Sequence, residues 1–140
     1  MKKLLVTMMM CLCSAILTSA QTKAPIAVEN ALRQHFPGAT AIKWHKENAH
    51  EYEAEFLNEG KKMSANFTDK GVWIETETPV NFNELPASVK DAFINSHKNC
   101  KPKSASKIDL VDGTMKFEIE FISAKKTHEI LYTNDGKEIK

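Results

Sequence analysis

An internal repeat constrains this chain more than any other feature. Pro25-Ile26-Ala27-Val28-Glu29-Asn30-Ala31-Leu32 runs against Pro86-Ala87-Ser88-Val89-Lys90-Asp91-Ala92-Phe93 at an offset of 86 − 25 = 61. Proline, valine and alanine coincide, and Leu32 faces Phe93. Tyr52-Glu53-Ala54-Glu55-Phe56 then matches Phe117-Glu118-Ile119-Glu120-Phe121 at an offset of 117 − 52 = 65. The same offset aligns Phe67-Thr68-Asp69-Lys70-Gly71 with Tyr132-Thr133-Asn134-Asp135-Gly136, and Ile74 with Ile139. Similarity at a long fixed spacing marks a repeated supersecondary unit. The four-residue change of offset places a short insertion in the second copy, expected around Asn99 to Ser106.

Each unit opens with a helix. Val28, Ala31, Leu32, His35 and Phe36 recur at helical spacing, as do Val89, Ala92 and Phe93. Pro25 and Pro86 suit a first helical turn, where a missing N–H costs nothing, and Pro37-Gly38 ends the first helix. Period-two segments follow: Ile42/Trp44, Tyr52/Ala54/Phe56 and Met63/Ala65/Phe67, then Ile108/Leu110, Phe117/Ile119/Phe121 and His128/Ile130/Tyr132. Such alternation describes antiparallel strands with one buried and one wet face. Turn residues separate them at 47–49, 58–60, 69–71, 112–113 and 134–136. The expected architecture is α+β: a tandem repeat of one helix plus three to four antiparallel strands. Both helices are expected on one face of a sheet of about eight strands. The repeats run from about 24 to 78 and 84 to 140 within one domain, 21–140, and the segment Thr76 to Leu85 bridges them.

The first twenty residues read as a signal peptide. Lys2 and Lys3 precede an apolar stretch from Leu4 to Leu17, and Thr18-Ser19-Ala20 supplies the small residues of a cleavage site before Gln21. The stretch is shorter than the ~20 apolar residues of a membrane span, so an exported, periplasmic or secreted chain without a membrane anchor is expected. Cleavage leaves 19 − 2 = 17 basic against 18 acidic residues. That near-neutral balance, without a basic block, argues against a nucleic-acid partner. Cys11 and Cys13 leave with the signal, so Cys100 stands alone and forms no intrachain disulfide. The domain is held by its core.

Taken together, Phe36-Pro37-Gly38-Ala39, Trp44, Tyr52-Glu53-Ala54-Glu55-Phe56, Phe67-Thr68-Asp69-Lys70-Gly71 and Leu85-Pro86 resemble the PepSY-like, beta-lactamase-inhibitor-like family of small periplasmic proteins. The resemblance spans Lys23 to Lys140. It implies a helix-plus-four-strand unit used twice, similar to beta-lactamase-inhibitor protein, whose concave sheet grips a partner. It implies no enzymatic activity, cofactor or catalytic residues. The second unit departs from the pattern, with His97-Lys98-Asn99-Cys100 in place of Phe-Pro-Gly-Ala.

Candidate chemistry sits on the wet strand faces. Glu53 and Glu55, with Glu51, match Glu118 and Glu120 and form either an acidic patch for a cationic partner or divalent metal, or a solvated face paired to lysines such as Lys43. The histidines, His35, His45, His50, His97 and His128, show no metal-ligand spacing, and no metal site or cofactor is assigned. Trp73 is expected to project outward, between inward Val72 and Ile74, where the second unit has Glu138. It either anchors an interface or packs under the Thr76–Leu85 segment. Leu131 is expected on the same wet face. Cys100 lacks a histidine and acid at any motif spacing, and no catalytic site is assigned. The leading expectation is a non-enzymatic module that binds or inhibits an unknown protein or peptide of the cell envelope through the open sheet face. Trp73, Lys43, His45, Glu53, Glu55, Glu118 and Glu120 would make the contact. The alternative is a metal-binding or metal-responsive envelope protein that uses the glutamates and His45.

Overall fold

The computed structural model describes residues 22–139. The signal peptide expected at 1–20 lies outside the described residues. Chain order is α1 (Ile26–His35), β1 (Thr40–Lys46), β2 (Glu51–Asn58), β3 (Lys61–Thr68), β4 (Trp73–Val80), a 3-10 turn (Phe82–Glu84), α2 (Ala87–Ser96), β5 (Lys101–Leu110), β6 (Met115–Ser123), β7 (Lys126–Thr133) and β8 (Glu138–Ile139). Among the described residues the fold is α+β, with two α-helices and one open antiparallel sheet whose eight strands lie side by side in sequence order.

Both helices form and end in the same way. Pro25 and Pro86 precede the first turns in extended conformation, and their carbonyls accept from Val28 and Glu29, and from Val89 and Lys90. Proline is preorganised for that place. Glu29 in the first turn of α1, and Arg33 and His35 in its last, complement the helix dipole. The N–H groups of Phe36 and His97 donate to Leu32 and Phe93 at 2.8 Å, and those of Ala39 and Cys100 then donate to Phe36 and His97 at 3.0 Å.

The buried side chains form two clusters. Ala24, Val28, Ala31 and Leu32 pack with Trp44, Tyr52, Ala54, Phe56, Ala65 and Phe67. Leu85, Val89 and Phe93 pack with Ala105, Phe117, Ile119, Phe121, Ile130 and Tyr132. Val28, Leu32 and Val89 are wholly sequestered, and burial of each such side chain contributes about 1.5–3 kcal/mol. Tyr52, Ala54 and Phe56 face inward as their alternation requires.

The offset of 61 persists further than expected. In β1 and β2, Trp44 lies opposite Ala54, and in β5 and β6, Ala105 lies opposite Ile119. The offset is therefore still 105 − 44 = 61 at the first pair member and 119 − 54 = 65 at the second. The four extra residues lengthen the β5–β6 hairpin. They do not lie between helix and strand, as the sequence reading placed them.

Two further expectations change. The segment from Thr76 is no simple bridge: β4 continues to Val80 and pairs with β5 along Glu75–Val80 and Ala105–Leu110. Pro79 is tolerated there because the β3 pairing of β4 ends at Ser64–Glu77, leaving Pro79 on a locally free edge. The second change concerns parity. Ala105 and Lys107 take the core side of β5 opposite Ile119 and Phe117, so Ile108 and Leu110 take the other side, opposite Glu77 and Glu75. Lys107 and Asp109 form an ion pair at 2.8 Å. Hydrophobic alternation gives a period without a sign, and the pairing partners supply the sign.

Candidate functional site

Residues directly opposite in an antiparallel pair share a face, so the register defines rows across the sheet. One row runs His45–Glu53–Asn66–Glu75–Leu110. The next runs Lys43–Glu55–Ser64–Glu77–Ile108–Lys116. A third runs Pro79–Ser106–Glu118–Leu131–Ile139, and a fourth Ser104–Glu120–Glu129. None of these residues belongs to either core cluster. Seven glutamate positions thus share one face, which we call the acidic face.

Six residues expected from the sequence, Lys43, His45, Glu53, Glu55, Glu118 and Glu120, come together on it. Trp73 does not. Asn66 pairs with Glu75 but Phe67 pairs with Trp73, so β4 carries one extra residue, Ile74, at that step. This bulge turns Trp73 toward the core side. There its ring lies 5.5 Å from that of His35 and packs against the first cluster, while Nε1 donates to Thr76 Oγ1 at 2.9 Å. Val72, expected inward, is exposed. The outward reading of Trp73 is corrected accordingly. Leu131 lies on the acidic face, as its parity required.

The carboxylates divide by whether a cation is in reach. Glu120 accepts from Lys103 Nζ at 2.7 Å and Ser104 Oγ at 2.6 Å, which together hold its pKa below the ordinary value. Glu55 is 3.5 Å from Lys62 Nζ and 3.9 Å from His45 Nε2. That histidine nitrogen is buried and has no hydrogen-bond partner. Glu53 is pushed up to about 7, first by burial and then by the Glu47 carboxylate, against an opposing hydrogen bond from Ser64. Burial also raises Glu75, although Lys116 opposes it. Glu118 goes furthest, to about 8, through burial and then the charges of Glu77, Glu129, Glu120 and Glu75. Removing a carboxylate from water without a countercharge favours the protonated form.

Glu75, Glu77 and Glu129 were not singled out in the sequence. The first two lie in Glu75-Thr76-Glu77-Thr78, whose period of two signals a strand, although the expected bridging segment begins at Thr76. This face can accept hydrogen bonds and attract positive charge. Among the described residues no group of three or more His, Cys, Asp or Glu side chains is arranged to hold a metal ion. Two open concavities, of about 310 Å³ beside Lys61 and Glu84 and about 200 Å³ beside Arg33 and Trp44, contain none of the carboxyls raised by burial. No described helix is long and apolar enough to cross a membrane.

A family model described as "Putative beta-lactamase-inhibitor-like, PepSY-like" matches residues 50–140. Among solved structures, the chain is similar to a protein of Bacteroides eggerthii described as a "putative periplasmic" protein, at 24% identity over 85% of this chain and 88% of that one, with a TM-score of 0.77. A BLIP-like protein of Bacteroides fragilis matches at 24% identity over 88% of each chain, with a TM-score of 0.71. A DUF2874 family protein of Bacteroides uniformis matches at 24% identity over 84% of this chain and 88% of that one, with a TM-score of 0.75. At these identities the likeness is one of fold. No curated protein matches the chain.

Proposed function

Because the chain belongs to the PepSY-like, beta-lactamase-inhibitor-like family, we propose that it is an exported, non-enzymatic module that binds or inhibits a protein or peptide partner through its acidic face. We read the domain as starting near Gln21 and as two copies of one unit, with both helices on the core side. Supporting the duplication are the paired helix ends, the matched cluster positions and the shared contacts of Gly71 and Gly136 with Ala27 and Ser88. Supporting export are the amino-terminal pattern and the periplasmic description of a fold neighbour. The observation that carries the binding reading is a broad sheet face, belonging to neither core cluster, on which carboxyls are half-buried or buried. A sheet face that serves only solubility keeps its charges in water.

In this reading Lys43, His45, Glu53, Glu55, Glu118 and Glu120 meet the partner, and Trp73 stiffens the sheet from behind. The test is affinity capture from a cell-envelope extract. Ser64→Arg and Ser106→Arg, which put bulk in the middle of the acidic face, are expected to abolish capture, while Gln34→Arg and Asn95→Arg on the helices leave it intact. The reverse pattern sinks the reading. Sequencing of the amino terminus of protein recovered from the envelope is expected to begin at Gln21.

A further inference from the structure

We propose that the outer edge of β7 pairs antiparallel with the same edge of a second copy of this chain, about a two-fold axis at His128. β8 covers only Leu131 and Tyr132 of β7. Among the described residues no strand lies along Lys126–Ile130 on that side. The backbone there is aimed outward at alternate residues. Lys126 closes its turn against Ser123 of β6, whereas the Thr133 N–H turns away from β6 to donate to Lys137 at 2.9 Å. Counted from either end, the odd-numbered residues of β7 point their N–H and C=O away from β6. Such an edge is a template for another strand. This inference goes beyond the reading of the acidic face and does not depend on it.

Length and charge select a second copy as the occupant and fix its register. The uncovered stretch runs from Lys126 to Ile130 with His128 at its middle, so two copies related by an axis there fill each other's edge. Thr127 then lies opposite Glu129 of the second copy, and His128 opposite His128. An axis at Glu129 would instead set two glutamates face to face and run the second copy into β8. An axis at Thr127 would need extended backbone at Lys125, whose φ is +63°. With the axis normal to the sheet, the acidic faces of both copies stay on one side of a continuous sheet. Ile122, opposite Thr127 and 54% exposed, gains cover from the second copy.

The charges at the two ends of this seam are complementary. Lys126 of one copy stands opposite Ile130 of the other, in line with that copy's Glu138, which pairs with Tyr132. Ile130 and Tyr132 share a face two residues apart, so Lys126 and this Glu138 share it too, with backbones about 7 Å apart. A lysine side chain spans that distance, and the axis supplies the contact twice. Within one chain the same two residues stand about 20 Å apart, because 132 − 126 = 6 positions of β7 separate them. Among the described residues neither forms an ion pair inside the chain. The seam is short against the ~1,600 Å² of a standard interface, so the association is weak and depends on concentration.

Sedimentation equilibrium of the chain recovered from the envelope, at low salt and from about 10 µM to about 1 mM, tests the seam. The weight-average mass is expected to rise with concentration toward twice that of the monomer. Thr127→Pro removes an outward N–H and leaves the β6 ladder intact; it is expected to weaken association tenfold or more. His128→Lys sets like charges opposite each other across the axis and is expected to do the same. Lys126→Glu and Glu138→Lys are each expected to weaken association, and the double variant to restore it. Both positions are exposed, so this exchange decides the matter even where Thr127→Pro fails to fold. A monomer at every concentration overturns the proposal. So does association indifferent to Thr127→Pro and His128→Lys, or a double variant that associates as poorly as either single one.

Discussion

Gly71 passes so close beneath the first turn of α1 that a Cβ on it would stand 2.5 Å from the carbonyl oxygen of Ala27. Its backbone has φ +79°, in the left-handed region where an L side chain is strained. Gly136 repeats the arrangement against Ser88, at 2.4 Å and φ +81°. Each glycine lets a strand turn tuck under a helix, which fixes the height of that helix above the sheet.

Gly71→Ala and Gly136→Ala combine backbone strain with a collision against backbone, so each is expected to cost about 3 kcal/mol. Gly60→Ala and Gly113→Ala have the same sign of φ but open space around the new methyl, and are expected to cost about 1 kcal/mol. Urea unfolding of the four variants checks the contrast. Equal losses at all four sites would show that the close approach to the helices contributes nothing.

Trp73→Ala is expected to lower stability by about 2 kcal/mol, less than the 3–5 kcal/mol of a fully buried aromatic, because the ring is half-buried. The loss comes from its contacts with His35 and the first core cluster and from the hydrogen bond to Thr76. Affinity for a captured partner, measured on the folded fraction, is expected to stay unchanged.

Glu118, Glu53 and Glu75 all have folded pKa values above the 4.5 of an ordinary glutamate. Each binds its proton more tightly when folded than when unfolded. Their stabilising effect is therefore complete below about pH 4.5 and fades as pH rises through the folded values, near 7 for Glu53 and 8 for Glu118. The domain is expected to be less stable at pH 9 than at pH 5, with roughly 2–4 kcal/mol of the difference from Glu118. Glu118→Gln is expected to remove most of that difference. Urea midpoints at pH 5, 7 and 9 measure it, and a flat profile for the parent chain would show the carboxyl to be solvated.

His97 caps the end of α2 as Phe36 caps the end of α1. Its ring lies 5.2 Å from Phe93 and 4.7 Å from Phe121, as Phe36 lies 4.8 Å from Phe56. Its Nδ1 is buried without a hydrogen-bond partner. His97→Phe is expected to stabilise the domain by roughly 1 kcal/mol by removing that unpaired nitrogen. A fall in the thermal midpoint would mean that the nitrogen is solvated or that the larger ring does not fit.

Much of the architecture was legible in the residues. Pro25 and Pro86 marked the helix starts, and the Gly-containing turns marked the ends of most strands. The alternation at Tyr52-Ala54-Phe56 and Phe117-Ile119-Phe121 identified strand interiors with the correct buried face. The turn between β6 and β7 was not legible. Ala124 and Lys125 adopt φ +49° and +63° there without the Asn or Gly that usually announces such a turn.

The candidate site divided along the same line. The polar positions of β1, β2 and β6 follow from local periodicity alone, and the repeat pairs them. The orientation of Trp73 and Ile108, and the burial of Glu118, do not. A single-residue bulge reverses the parity of a strand end, and the side on which an alternating segment buries its apolar residues depends on the strand beside it. Glu118 is buried and faced by Glu77 and Glu75 from a strand about forty residues earlier in the chain as well as by Glu120 and Glu129, an arrangement created only when β4 and β6 pair with β5. Period, turn chemistry and helix ends are local properties and were written in the sequence. The sign of each face and the charge around each carboxyl arise from non-local pairing, and the tertiary structure alone decided them.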